Sequence, residues 1–77
     1  MKYKVQRKPS NQLDMRLFNL ESETVMGYIW GWVEHGMTLY RSTVTYKGLV
    51  HGSDHTCPKE AVKWILEKHK TLNTGLV

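Results

Sequence analysis

Three residues of types that bind metals or act as nucleophiles lie close together at His51, His55 and Cys57. Zinc accepts imidazole and thiolate ligands, so this H-x3-H-x-C spacing defines a candidate metal site. Structural zinc sites usually present two paired clusters, whereas this chain offers one short segment. We therefore predict that these side chains are ordinary polar residues of a loop, with no metal and no cofactor.

Nucleophilic catalysis is a second chemistry that Cys57 and His55 suggest, because the start of a helix favours a thiolate. A Cys–His pair also needs a third group that orients the base, and a pocket that holds a substrate. The sequence indicates neither, and it has no glycine-rich phosphate loop or nucleotide fingerprint. We predict that the protein is not an enzyme and takes no small-molecule substrate.

An aromatic pattern points to recognition instead. Tyr28, Trp30 and Trp32 occupy every second position in TVMGYIWGWVEHGMTLYRSTVTYKGLVHG (24–52). Side chains alternate between the faces of a strand, so the three rings share one face. If this face is exposed, it is a platform on which bases stack for about 1–3 kcal/mol each. If it is buried, the same rings are the core. The sequence leaves both alternatives open.

Two turn signals position these rings. His35-Gly36 and Lys47-Gly48 each predict a two-residue hairpin loop of type I′, with positive φ at the glycine. The result is a three-stranded antiparallel meander with a defined register. The implied pairs are Trp32–Leu39, Trp30–Arg41, Tyr28–Thr43, Gly31–Tyr40, Ile29–Ser42, Gly27–Val44, Tyr46–Leu49 and Val44–His51.

The two faces of this meander differ in composition. Gly27 and Gly31 leave room on one face for a helix or for a large neighbour such as Tyr40, so we predict that the helix covers that face. Besides the glycines, it carries Val25, Ile29, Val33, Tyr40, Val44, Tyr46 and Leu49. The other face carries Met26, Tyr28, Trp30, Trp32, Leu39, Arg41 and Val50.

The predicted fold class is α+β: an antiparallel β-meander of three to five strands with one C-terminal helix packed on one face. Pro58 suits the first position of a helix, and Thr56 or Cys57 would cap it. Residues 10–22 fit either a strand or a helical face, and we favour a strand. We predict strands at about 2–8, 13–20, 25–34, 37–46 and 49–52, a loop at 52–56, a helix at about 58–70 and a frayed tail at 71–77.

Length and composition set further limits. A chain of 77 residues makes a single domain. Its one cysteine excludes an intramolecular disulfide. No apolar run approaches the roughly 18 residues needed to span a bilayer, and no hydrophobic signal segment follows Met1. We expect a cytoplasmic protein without a membrane partner.

The formal charge of +4 is concentrated at one end of the chain. Residues 1–13 contain Lys2, Lys4, Arg7 and Lys8 and no acidic residue. The positive and negative charges of the remaining residues balance, so this segment carries the whole excess of positive charge. A basic edge of this kind favours an anionic partner such as nucleic acid.

The segment YRSTVTYKGLVHGSDHTCPKEAVKWILEKH (40–69) resembles two nucleic-acid-binding families in topology. Gly48, Gly52, Lys59, Ala61 and Lys63 follow the hairpin, loop and basic helix start of double-stranded-RNA-binding domains. That resemblance implies a phosphate contact at the helix and a first helix within residues 10–22. The segment is also similar to the AP2 and arm-type integrase DNA-binding domains, through Glu60-Ala61 after three antiparallel strands. That resemblance implies base-reading residues on the strands.

We predict a small non-catalytic binding module whose partner is nucleic acid. An alternative is a small protein, of the type that phages and mobile elements encode, that binds and inhibits or regulates a host protein, since Trp, Tyr and Arg dominate protein interfaces. A third interpretation is a homodimer joined through an open sheet edge or the tryptophan face. The predicted contact residues are Tyr28, Trp30, Trp32, Arg41, Lys47, Lys2, Lys4, Arg7, Lys8, Lys59 and Lys63.

Overall fold

The computed structural model describes residues 2–74 and shows a five-stranded antiparallel sheet with one helix packed on it. The predicted α+β class is therefore confirmed. The strands lie in the sheet in chain order, so each is joined to the next by a hairpin. The elements are β1 (Tyr3–Lys8), β2 (Asn11–Asn19), β3 (Thr24–Glu34), β4 (Met37–Tyr46), β5 (Leu49–His55) and α1 (Pro58–Thr74).

Both predicted two-residue turns are present. His35 and Gly36 have φ values of 53° and 75°, and Lys47 and Gly48 have 51° and 78°. Two consecutive positive φ angles are the mark of a type I′ turn, which matches the right-handed twist of the strands it joins. The predicted pairs after each turn are confirmed, except that the β3–β4 ladder ends at Tyr28–Thr43, before the predicted Gly27–Val44 pair.

Two predicted boundaries are wrong. The loop expected at 52–56 is strand as far as His55, because β5 pairs with β4 along its whole length. This pairing satisfies backbone N–H and C=O groups of β4 that a loop would leave without partners. The frayed tail expected from residue 71 is helical as far as Thr74, while residues 75–77 lie outside the described residues.

The strand favoured for residues 13–20 is confirmed as β2, which pairs with both β1 and β3. Two face assignments next to it, those of Met26 and Val25, are wrong. The β2–β3 register shifts after Leu17, so that Gly27 and Val25 have partners on β2 and Met26 has none. An extra residue of this kind breaks the alternation of side chains. Met26 consequently lies in the buried cluster, whereas Val25, which pairs with Phe18, lies on the other side of the sheet.

The core lies between the sheet and α1, which packs on β3, β4 and β5. We call this side of the sheet the helix face. Pro58 opens the helix, and the Cys57 carbonyl accepts the first helical hydrogen bond, from the N–H of Ala61 at 3.1 Å. Ser42 is buried beneath the helix, where its hydroxyl donates to the Ala61 carbonyl at 3.0 Å. The buried apolar side chains are Met15, Leu17, Met26, Ile29, Val44, Ala61 and Ile65.

Gly27 sets how closely the helix approaches the sheet. A Cβ atom at this position would lie 2.6 Å from the Thr43 carbonyl oxygen and 3.0 Å from Cγ2 of Ile65. Gly31 leaves room for a large neighbour, because a Cβ there would lie 3.3 Å from the ring of Tyr40. Both glycines therefore make space on the helix face, as the sequence predicts.

Candidate nucleic-acid interface

Tyr28 and Trp30 project from β3 on the side of the sheet opposite the helix. Their neighbour Ile29 is buried in the core, so alternation along the strand turns the two rings outward. Tyr28 is 52% exposed and Trp30 is 40% exposed, whereas Trp32 is half-buried. We call this side of the sheet the aromatic face. Of the two alternatives left open by the sequence, the structure shows exposed surface for Tyr28 and Trp30, while Trp32 is partly covered.

Trp32, Arg41 and Asp54 form a linked group on the aromatic face. The guanidinium of Arg41 donates two hydrogen bonds to the Asp54 carboxylate, at 2.6 and 3.0 Å, and lies 5.3 Å from the centroid of the Trp32 ring. The hydrogen bonds from Arg41 lower the pKa of the Asp54 carboxyl below its usual range. The same contact raises the pKa of Arg41. Arg41 therefore carries a charge that Asp54 already neutralises, which weakens it as a phosphate contact.

A groove of about 1010 Å³ lies over the aromatic face between the β1–β2 hairpin and the rings of β3. Tyr28 and Trp30 line its floor. Arg16 faces Tyr28 across the β2–β3 ladder, and its Nε–H donates to the amide oxygen of Gln6. Because this partner is neutral, Arg16 keeps its full charge. The polar and charged lining residues are Gln6, Arg7, Lys8, Asp14, Arg16 and Thr43.

The structure brings some of the predicted cations to this groove and leaves others apart. Arg7 and Lys8 line it, and Lys4 is exposed on the same strand, opposite Phe18. Lys2 lies at the far end of β1, where its backbone N–H donates to Glu21 at 3.0 Å. Lys47 lies at the tip of the second hairpin with its ammonium 5.6 Å from the Tyr46 ring, six residues along the chain from Arg41 and roughly 20 Å away.

Lys59 and Lys63 belong to a different surface. Both are exposed on α1, whose buried positions Ala61 and Ile65 face the sheet. The helix lies on the side of the sheet away from Tyr28 and Trp30, so one short ligand cannot contact these lysines and the rings together. The predicted contact set therefore divides between two sides of the molecule.

The residues that suggested metal or nucleophilic chemistry do not converge. Within residues 2–74, no three His, Cys, Asp or Glu side chains form a group that could hold a metal ion. His55 lies beneath the helix, with its ring centroid 6.2 Å from that of Trp64. Its Nε2 atom is buried and has no hydrogen-bond partner among the described residues. Asp54, expected in the same loop, instead binds Arg41 on the opposite face.

Arg16 and Gln6 are site residues that the sequence reasoning missed. The signal for Arg16 is alternation within LDMRLFNL, which places it opposite to the buried Met15 and Leu17. That signal does not reveal the neighbour across the strand. The loop between β2 and β3 has no two-residue turn from which a register can be counted, so the contact of Arg16 with Tyr28 was not predictable.

Comparisons with protein-family models, with curated proteins and with solved structures find no match to this chain. No helix within residues 2–74 has the length and apolar character needed to cross a membrane. Residues 11–19, where a double-stranded-RNA-binding domain would require its first helix, form β2. The geometry of the aromatic face is therefore the basis for proposing a function.

Proposed function

We propose that the protein is a non-catalytic nucleic-acid-binding module and that its binding surface is the aromatic face. The observation that carries this proposal is the pairing of two exposed rings, Tyr28 and Trp30, with a groove bordered by cations. Contiguous apolar surface that a small domain leaves uncovered usually marks a site of interaction. Aromatic rings beside basic residues are the combination that nucleic-acid-binding surfaces share.

Charge around the groove supports an anionic ligand. Among its described lining residues, Arg7, Lys8 and Arg16 are the cations and Asp14 is the carboxylate. Lys4 extends the basic side along β1. Contacts of these cations with phosphates would release counterions, so binding should weaken steeply as the salt concentration rises.

A titration tests this proposal. Labelled duplex DNA, duplex RNA and single strands are each titrated with the protein at low and moderate salt, and binding is followed by fluorescence anisotropy. We expect binding to at least one of these ligands at low salt, and an affinity that falls linearly with salt on a double-logarithmic plot. Absence of binding to all of them at low salt would reject the proposal.

A second candidate function is inhibition or regulation of another protein, and one observation favours it. Trp32, Arg41 and Asp54 hold one another in a fixed arrangement on an exposed surface. Preorganised Trp and Arg side chains are typical of the residues that dominate protein interfaces. If no nucleic acid binds at low salt, this group becomes the centre of the proposed protein contact.

A further inference from the structure

We infer that the nucleic acid bound by the aromatic face is single-stranded, with two successive bases stacked on Tyr28 and Trp30 and the phosphates held along β1 and β2. This inference rests on the proposed function and specifies its ligand. Three features support it: the exposure of the two rings, the hydrogen bonds that the polar side chains around them already make, and the location of the groove's cations on one side of the rings.

Tyr28 and Trp30 are exposed rings on which unpaired bases can stack. Tyr28 and Trp30 are alternate residues of one strand, so their attachment points are about 6.5–7 Å apart. Each is exposed by 40% or more. Bases in a duplex are stacked on one another and show only their edges in the grooves. In a single strand, successive bases can separate and stack on successive aromatic side chains.

Three polar side chains of the aromatic face, those of Arg41, Gln6 and Trp32, already have hydrogen-bond partners within the protein. Arg41 lies opposite Trp30, and its guanidinium donates hydrogen bonds to the Asp54 carboxylate. Gln6 accepts a hydrogen bond from Arg16, and the indole N–H of Trp32 donates to Glu34 at 3.4 Å. Edge reading in the major groove depends on Arg, Asn or Gln groups that are available to the bases. The aromatic face is therefore suited to stacking and poorly suited to reading a duplex.

The cations that line the groove lie on the β1–β2 side of the rings. On the β1–β2 side, Arg16 has a neutral partner and Lys8 lines the groove, with Lys4 four residues before it, about 13 Å along the strand. On the β4–β5 side, Arg41 is neutralised by Asp54. Phosphates are consequently favoured over β1 and β2, while the bases extend over β3. The carboxylate of Asp14 also lines the groove and limits how many phosphates it holds.

Competition between strand types tests the inference. Short labelled oligo(dT) and oligo(U) are compared with a duplex of equal length in anisotropy titrations at low salt. We expect a single strand to bind at least tenfold more tightly than the duplex. Trp30→Ala and Tyr28→Ala should each weaken single-strand binding by about tenfold, since one stacked base is lost. Trp30→Phe should retain most of the affinity because it keeps a ring.

Matched controls separate the groove from general effects. Tyr3→Ala removes a tyrosine that is 42% exposed on the helix face, and Lys70→Ala removes a lysine of α1; both should leave affinity unchanged. Lys8→Ala should lower the salt slope for single strands by about 0.7, the value for one phosphate contact. Circular dichroism checks that each variant is folded.

The outcomes distinguish the inference from the proposed function. Equal or tighter binding of the duplex, or single-strand affinity that Trp30→Ala and Tyr28→Ala leave unchanged, would overturn the inference and keep the nucleic-acid module. Loss of affinity in Tyr3→Ala as large as in Tyr28→Ala would overturn it as well. No binding of any nucleic acid at low salt would overturn both.

Discussion

The two faces of this sheet use their apolar side chains differently. On the helix face, medium-sized aliphatic residues such as Leu17 and Ile29 are almost completely buried, as is Ile65 of α1. On the aromatic face, the larger rings of Tyr28 and Trp30 remain exposed at 52% and 40%. A chain of 77 residues has little core to spare, and large aromatic side chains are the groups whose burial would stabilise it most. The exposure of these rings therefore leaves much of their apolar surface outside the core, which is the basis for proposing that they contact a ligand.

A second contrast concerns polar groups. Beneath the helix, Ser42 is satisfied by the Ala61 carbonyl, but Nε2 of His55 has no partner among the described residues. On the aromatic face, Arg41 and Asp54 form a pair whose side chains are nearly half exposed. Polar groups on the open face can be exchanged for water at little cost, whereas those under the helix cannot.

The largest expected effect separates the faces directly. Ile65→Ala should reduce the free energy of unfolding by about 3–4 kcal/mol, because it removes a fully buried side chain and leaves a cavity. Trp30→Ala should cost about 1–2 kcal/mol although it deletes more atoms, because the ring is 40% exposed and its removal leaves no enclosed cavity. Urea denaturation followed by circular dichroism measures both. Equal losses would show that Trp30 belongs to the core.

Gly27 tests how closely the helix packs on the sheet. Gly27→Ala should cost about 2–3 kcal/mol, because its Cβ would lie 2.6 Å from a backbone oxygen that cannot easily move. Gly52→Ala is the matched control. Its Cβ would meet the nearest atoms at 3.5 and 3.7 Å, so a change within about 0.5 kcal/mol is expected. Similar unfolding midpoints for the two variants would contradict the proposed packing.

His55 tests the cost of burying a polar atom beneath the helix. His55→Phe keeps an aromatic ring beside Trp64 and removes the buried nitrogen that lacks a partner. Stability should be unchanged or raised by up to about 1 kcal/mol, because an unsatisfied polar atom no longer has to be buried. Thermal unfolding monitored by circular dichroism measures the effect. A clear loss of stability would indicate that the imidazole makes a favourable polar contact.

The smallest effect is the pH dependence of the Arg41–Asp54 pair. Arg41 lowers the pKa of Asp54 in the folded state, so the pair stabilises the fold above the unfolded value of about 3.9. This stabilisation is lost as the pH falls through the lower, folded value. The stability gap between the native protein and Asp54→Asn should therefore be constant from about pH 5 to 7 and close below about pH 4. A gap that persists at the lowest pH at which the protein folds would contradict the ion pair.

The parts of the fold that sequence predicts well are those with short, stereochemically specific signals. His35-Gly36 and Lys47-Gly48 each define a two-residue turn. The pairing of β3 with β4 and of β4 with β5 can therefore be counted outward from the turns. Pro58 likewise marks the start of the helix. Alternation then assigns Tyr28 and Trp30 to one face, but it does not say whether that face is covered.

The remaining features depend on interactions between distant segments. The bulge at Met26 arises where β3 meets β2. Gly27 is compatible with a bulge, but a glycine in a strand equally indicates close approach by another element, so the sequence does not identify Met26 as the extra residue. Polar composition made GSDHT look like a loop, although β4 offered a strand edge with which it pairs. For the same reason the sequence presented Arg41 as a free cation. Its neutralisation depends on Asp54, thirteen residues away along the chain.

The indole resonances of the protein test directly whether nucleic acid binds at Trp30 on the aromatic face. Its three tryptophans occupy three environments. Trp30 is exposed on the aromatic face, Trp32 lies beside Arg41, and Trp64 is a residue of α1 that packs near His55. The measurement is a ¹⁵N–¹H correlation spectrum recorded while oligo(dT) is added, with each indole N–H assigned from its Trp→Phe variant. We predict that the Trp30 signal shifts most and that the Trp64 signal stays in place. A shift at Trp64 while Trp30 remains unmoved would contradict the account.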